Sequence, residues 1–155
     1  MQDFPEFQNE NMGGCQKFDF APFPSIYSIP RTSDDVLSDD LTFKPNNTWL
    51  EGAAIFNTLE FVEEQNNSDA GDYFKTKISG AVPALTKEYL ALFNQMKQVR
   101  HVVQITDNNG NIRMAGLNGG LKFAFSQDTK KNPSGANGFE FQFTGENPEP
   151  SPFVV

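Results

Sequence analysis

Apolar and polar residues alternate with period two in four runs between positions 102 and 144. Val103 and Ile105 alternate with Gln104 and Thr106, and Ile112 and Met114 with Arg113 and Ala115. Leu121, Phe123 and Phe125 alternate with Lys122, Ala124 and Ser126. Phe139, Phe141 and Phe143 alternate with Glu140, Gln142 and Thr144. Successive side chains of a strand point to opposite faces, so each run buries one face only. Together they predict an antiparallel sheet with one wet side. Asn109-Gly110, between the first two runs, tolerates positive φ at both central positions of a type I′ turn. Such a turn would pair Ile105 with Met114 and Thr106 with Arg113.

Upstream, residues 49–64 and 72–81 read as the two strands of a long hairpin. Ile55, Leu59 and Phe61 share one face, and Phe56, Thr58, Glu60 and Val62 the other. The tip, 65–71, is rich in Asn, Asp, Ser and Gly, as turns are, and is expected to project beyond the body. Shorter strand candidates lie at 25–29 and 41–43. One helix is predicted, over 86–99. Leu85, Tyr89, Leu92, Met96 and Val99 form its apolar stripe. Thr86 is its N-cap, with Leu85 and Leu90 as a hydrophobic staple, and Lys97 and Arg100 suit its C-terminal dipole.

Residues 1–24 fit neither pattern. Pro5, Pro22, Pro24 and Gly13-Gly14 interrupt any regular element, yet Phe4, Phe7, Phe18, Phe20 and Phe23 are too apolar for a solvated tail. An extended arm is expected, lying on its own domain or on a neighbouring copy. The division is therefore an arm at 1–24, a single β-rich domain at 25–150 and a short tail at 151–155. The fold class is mainly β: an antiparallel β-sandwich or split barrel with one flanking helix, a long hairpin and an N-terminal arm.

Composition narrows the function. The chain has 155 residues, enough for one domain with a real core, and its 16 Phe favour strands. A net charge of −8 argues against wrapping nucleic acid, which needs cations to displace phosphate counterions. The charge is uneven: residues 1–70 hold 13 acids and 3 bases, residues 71–155 hold 7 acids and 9 bases. Opposite signs suit head-to-tail contact between copies, although a solvated acidic face is the plainer reading. No leader and no apolar span of membrane length are evident, so a soluble protein made without export is expected.

Candidate chemistry is sparse. Asp107-Asn108-Asn109-Gly110-Asn111 begins like a calcium loop, but the sixth and twelfth positions hold Ile112 and Asn118 where Gly and Glu are needed. Asp34, Asp35, Asp39 and Asp40 are close in sequence without the spacing of a cation loop; a solvated connector is the reading kept. Asn46-Asn47-Thr48 and Asn66-Asn67-Ser68 match the glycosylation triplet, which carries no weight without export. Cys15 is the sole cysteine and His101 the sole histidine, with no nucleophile, base or carboxylate marked beside either. Gly119-Gly120 precedes a strand, so it does not cradle phosphate on helix amides. No catalytic residue, cofactor or metal ligand is assigned, and the chain is expected not to be an enzyme.

The order of elements resembles a family of virion structural proteins from tailed phages of Bacteroidetes-type bacteria. The residues that carry the likeness are Asp107, Asn109, Gly110, Gly116, Gly120, Leu121, Asn137, Gly138, Phe139, Phe141, Phe143 and Gly145. The likeness spans roughly 49–150 and rests on turn and core positions. It implies a tail tube subunit that forms stacked, usually hexameric rings and conducts DNA without binding it specifically. The implied location is the virion tail, after synthesis in the host cytoplasm. Implied partners are other copies of the chain and tail proteins such as sheath or tape measure. The arm and hairpin would then bridge copies through Phe4, Phe7, Phe18, Phe20, Asn66, Asn67 and Asp69. Glu60, Glu63, Glu64 and Glu140 would line an acidic lumen. Alternatives are a tail terminator, head–tail connector or capsid decoration protein, or a monomeric β-barrel that binds a small apolar ligand.

Overall fold

A computed structural model describes residues 13–55, 57–83, 85–131 and 138–154. The strands are β1 (Cys15–Pro22), β2 (Ile26–Ser28), β3 (Thr32–Ser33), β4 (Val36–Leu37), β5 (Thr42–Phe43), β6 (Leu50–Glu51), β7 (Glu60–Ser68) and β8 (Gly71–Val82). After the helix α1 (Lys87–Met96) come β9 (Arg100–Asp107), β10 (Ile112–Ala115), β11 (Leu121–Asp128), β12 (Gly138–Asn147) and β13 (Phe153–Val154). The protein is mainly β, with one helix beside a large multi-stranded sheet, consistent with the sandwich expected.

One layer runs β7-β8-β12-β11, all antiparallel. β9 branches to the other layer. One of its edges pairs with β10 and then, after the turn at 116–120, with the start of β11; its other edge pairs with β1. β10 continues through β13 and β4 to β3. The sheet curls until β1 and the residue before β7 meet, where the Cys15 N–H donates to the Leu59 carbonyl at 3.3 Å.

Phenylalanine fills the space between the layers. Phe123, Phe139, Phe141 and Phe143 meet Phe18 and Phe20 from β1, and Phe93 from α1 seals one side. Ring centroids lie 5.1 Å apart for Phe123 and Phe143 and 5.2 Å for Phe93 and Phe123. Each such pair adds about 0.5–1.5 kcal/mol beyond its burial.

Five expectations are corrected. The segment expected to form an irregular arm contains a strand at Cys15–Pro22, in which Phe18 and Phe20 are buried in their own core and do not face a neighbour. The alternation of Lys17, Phe18, Asp19 and Phe20 marks that strand, and Pro22 sits at its last residue, where a missing N–H is tolerated. Phe4 and Phe7 lie outside the described residues.

The Asn-Gly turn is not type I′. The Gly110 N–H donates to the Asp107 carbonyl at 3.1 Å, and in the turn only Gly110 takes positive φ, +85°. This is a type I turn closed by a glycine bulge. The Asp107 carboxylate enforces it by accepting the N–H groups of Asn109 (2.8 Å) and Asn111 (2.9 Å). The extra residue slips the register by one, so Ile105 faces Arg113 and Gln104 faces Met114.

The β9–β10 hairpin does not have a wet side. Val102 and Val103, neighbours in sequence and so on opposite faces, are both 0% exposed. The second face is covered by Leu37, Leu41, Phe43 and Trp49, brought over by the short strands of 26–51. Two of these, β2 and β5, are the predicted short candidates, and they pair with each other.

The long hairpin is shorter than expected at its base and tighter at its tip. Residues 52–55 are not strand, while positions 65–68 are paired strand, leaving Asp69-Ala70 as the loop. The β12 ladder reaches β8 only as far as Phe74. Three residues of each hairpin strand therefore extend past it, roughly 10 Å at 3.4 Å per residue.

The helix stripe is rotated. Thr86 is the N-cap, its hydroxyl accepting the Tyr89 N–H at 3.3 Å, but the buried residues are Phe93 and Met96. Leu92 and Val99 from the expected stripe are exposed, as is Leu90 of the staple. Leu85, Tyr89, Phe93 and Met96 follow a spacing of four, four and three, and Phe93 joins the aromatic cluster that none of the leucines reaches.

Candidate functional site

Residues opposite one another in a ladder share a face, so the registers define the outer surface of the β7-β8-β12-β11 layer. One row is Ser126, Glu140 and Ala81; the next is Ala124, Gln142, Ser79 and Glu60. A third is Lys122, Thr144, Lys77 and Val62, and a fourth Glu146, Lys75 and Glu64. Small side chains at Ser79, Ala81, Ala124 and Ser126 leave a trough of about 430 Å³, bordered by Lys77, Glu140 and Gln142.

Three of the four predicted lumen carboxylates, Glu60, Glu64 and Glu140, share this polar face. Glu63 does not. Adjacent strand residues point oppositely, so Glu63 faces inward where Glu64 faces out. Its carboxylate accepts the Thr76 hydroxyl (2.8 Å), the Ser151 N–H (2.9 Å) and the Ser151 hydroxyl (2.6 Å). It ties the chain ahead of β13 to β7, a structural clamp. The strands of this face also carry Lys75, Lys77 and Lys122 against Glu60, Glu64, Glu140, Glu146 and Asp128, a net of two negative charges. The lysines offset most, but not all, of the negative charge of the carboxylates.

Asn66 and Asn67 are in the projecting part of β7, paired with Tyr73 and Asp72, and Asp69 is exposed in the loop. Their side chains flank a two-stranded tip. Phe18 and Phe20 are excluded from any such surface by burial.

The remaining chemical groups are accounted for locally. Burial raises the Cys15 thiol above its usual range, and the Asp107 charge raises it further, which opposes thiolate formation. His101 is buried, with Nε2 2.9 Å from the Met96 carbonyl; a carbonyl only accepts, so the proton is on Nε2. Its Nδ1 has no hydrogen-bond partner, and burial lowers its pKa. Asp34 and Asp35 take positive φ in the β3–β4 turn, while Asp39 and Asp40 cap the N–H groups that follow them. Among the described residues no group of three His, Cys, Asp or Glu is placed to hold a metal ion.

Sequence reasoning missed two features. The Glu63–Ser151 clamp was legible in part, since strand parity separates Glu63 from Glu64. The other is Arg113, whose guanidinium carbon lies 4.2 Å from the Phe153 ring centroid and 5.5 Å from that of Phe61. Nothing local in the sequence joins residues 61, 113 and 153.

Fold and surface thus define a mainly β protein with one flanking helix, built around a four-stranded polar face that runs into a projecting hairpin. Comparison with protein-family models, with curated proteins and with solved structures finds no match.

Proposed function

We propose that this chain is a tail tube subunit of a tailed phage, a virion protein that assembles into stacked rings around a DNA-conducting bore. The observation that carries the reading is the polar face of the β7-β8-β12-β11 layer. It is continuous over four strands and leads directly into the exposed hairpin tip. Side by side in a ring, such faces form one lining and leave no wet strand edge free to aggregate. The near balance of Lys and Glu suits a bore through which DNA slides, because a basic lining would retain phosphates. The hairpin tip, with Asn66, Asn67 and Asp69, is the contact to the next ring. Partners on this reading are further copies of the chain and other tail proteins.

The interior weighs against the ligand-binding barrel. Phe rings occupy the space between the layers, and the apolar crevice beneath α1 holds about 200 Å³. Small-molecule sites start at roughly 300 Å³.

Negative-stain electron microscopy of the purified full-length protein tests the proposal. Rings or tubes with a central bore are expected at high protein concentration. A particle that stays monomeric, or an assembly without a bore, overturns it.

A further inference from the structure

Three cations line up across the polar face with no acid directly opposite any of them. Arg100 of β9 pairs with Lys122 of β11, Lys122 with Thr144 of β12, and Thr144 with Lys77 of β8. Their chain neighbours His101, Leu121, Phe143 and Ile78 are buried, so these four side chains stand together on the outer side. Arg100, Lys122 and Lys77 are all exposed, and at about 4.8 Å per strand their row spans about 14 Å. One guanidinium nitrogen of Arg100 donates to the Gly120 carbonyl at 3.4 Å, which keeps the group beside the start of β11. Along its own strand, on the same face, Lys122 is flanked by Gly120 and Ala124, and Lys77 by Lys75 and Ser79. Lys75 is the contrast, for it pairs with Glu146 on one side and Glu64 on the other. Glu60, Glu64 and Glu146 approach the row only on the diagonal, and among the described residues the one ion pair is Lys130–Asp128. Like charges directly opposite in a ladder are destabilising. Lys122 against Arg100 is such a pair, and an anion bound between them would remove its cost.

We infer that the row Arg100, Lys122, Thr144 and Lys77 is where this face touches the phosphates of a DNA strand, through charge and without regard to sequence. The cations follow a line, as the phosphates of one strand do, and the Thr144 hydroxyl is a further donor between Lys122 and Lys77. A net charge of −8 opposes wrapping of DNA around the protein, but it leaves room for a contact confined to one row. Each cation neutralises about one phosphate, so the contact is weak and falls steeply with salt. The acids in the flanking rows repel the same strand and prevent it from being held. The inference rests on the tube reading for its setting, in which the rows of successive copies join into a belt around the bore. The row itself is defined within a single chain.

Fluorescence anisotropy of a short, labelled DNA duplex of random sequence, titrated with the full-length protein over a range of low salt concentrations, tests it. Binding should appear at the lowest salt and fall linearly in a plot of log affinity against log salt. Lys122→Gln and Lys77→Gln should each weaken it at least about fivefold and reduce the slope by about 0.9 for each protomer in contact. Lys122→Arg keeps the charge and should bind as the natural protein does. Lys17→Gln and Lys44→Gln change the net charge equally at exposed positions off the row, and should alter affinity less than about twofold. Absence of binding at the lowest salt overturns the inference, as does equal weakening by the row variants and the two controls. Row-dependent binding by a protein that forms no ring would sink the tube and spare the row; rings with a bore whose DNA contact ignores the row variants would do the reverse.

Discussion

The layer β7-β8-β12-β11 and the hairpin β9–β10 carry the same kind of alternating sequence, yet one has a wet face and the other has none. In β12, Phe139, Phe141 and Phe143 are buried while Glu140 is exposed. In β9, Val102, Val103, Ile105 and Thr106 are all buried. The difference lies outside both strands. The segment 26–51, a set of two- and three-residue strands, lies over the second face of β9 and β10, and among the described residues no segment covers the second face of β12. Period two therefore identifies the face that must be buried. It says nothing of whether a later layer buries the other, unless polar positions such as Glu140 and Lys122 make that costly.

The sharpest test of the shared inner face is Phe143→Ala. Phe143 is fully buried among Phe18, Phe20, Phe123 and Phe141. Truncation should cost about 3–5 kcal/mol in chemical denaturation, while Gln142→Ala on the wet side should stay within about 0.5 kcal/mol. Similar losses for the two would mean that the polar face is covered after all.

The covered face of β10 gives the next effect. Met114 is fully buried against Leu37, Leu41 and Val102. Met114→Ala should cost about 2–5 kcal/mol if the short-strand segment is a true second layer. A loss below about 0.5 kcal/mol would return β10 to the one-sided pattern.

The third comparison sets Glu63 against its neighbour. Glu63→Ala strips the partner from Thr76 and from both Ser151 donors and should cost about 1–3 kcal/mol. Glu64→Ala, on the exposed face, should cost less than about 0.5 kcal/mol. If both are neutral in equilibrium unfolding, the clamp is not holding the β13 segment.

Much of the fold was legible because its longest elements follow local rules. The runs that become β11 and β12, the short strands β2 and β5, the N-cap Thr86 and the existence of a long hairpin all rest on signals within one element or one turn. What was not legible rests on distant partners. Leu92 and Phe93 are both apolar and adjacent in sequence, and only the phenylalanine cluster decides which turns inward. Phe18 and Phe20 alternate with Lys17 and Asp19, yet the Pro and Gly around them spoke louder than the pattern. In the polar face, the predicted hairpin already sets Lys75 and Lys77 near Glu60 and Glu64, and strand parity separates Glu63; Glu140 and Lys122 join them only through the registers of β8, β12 and β11, which no single strand reveals.

The last and smallest test concerns His101, at the point where the two layers join: it pairs with Leu121 where β9 meets β11. Its ring is surrounded by Phe20, Phe123 and Phe143. Among the described residues no charged group shifts the ring, and burial, only partly offset by the Met96 carbonyl, lowers the pKa below the ordinary value near 6.5. The unfolded chain therefore binds a proton before the folded chain does. Stability from the neutral ring is present above the unfolded value and declines as pH falls below it. Denaturation midpoints measured at pH 7 and pH 5 should fall toward the lower pH in the natural protein. His101→Gln keeps a donor for the Met96 carbonyl without a titrating ring, so its decline over the same interval should be shallower, whatever its stability at pH 7. Equal slopes in the two proteins would mean that His101 titrates alike folded and unfolded. The junction between the layers would then be open to water, and the two layers would be separate cores instead of one.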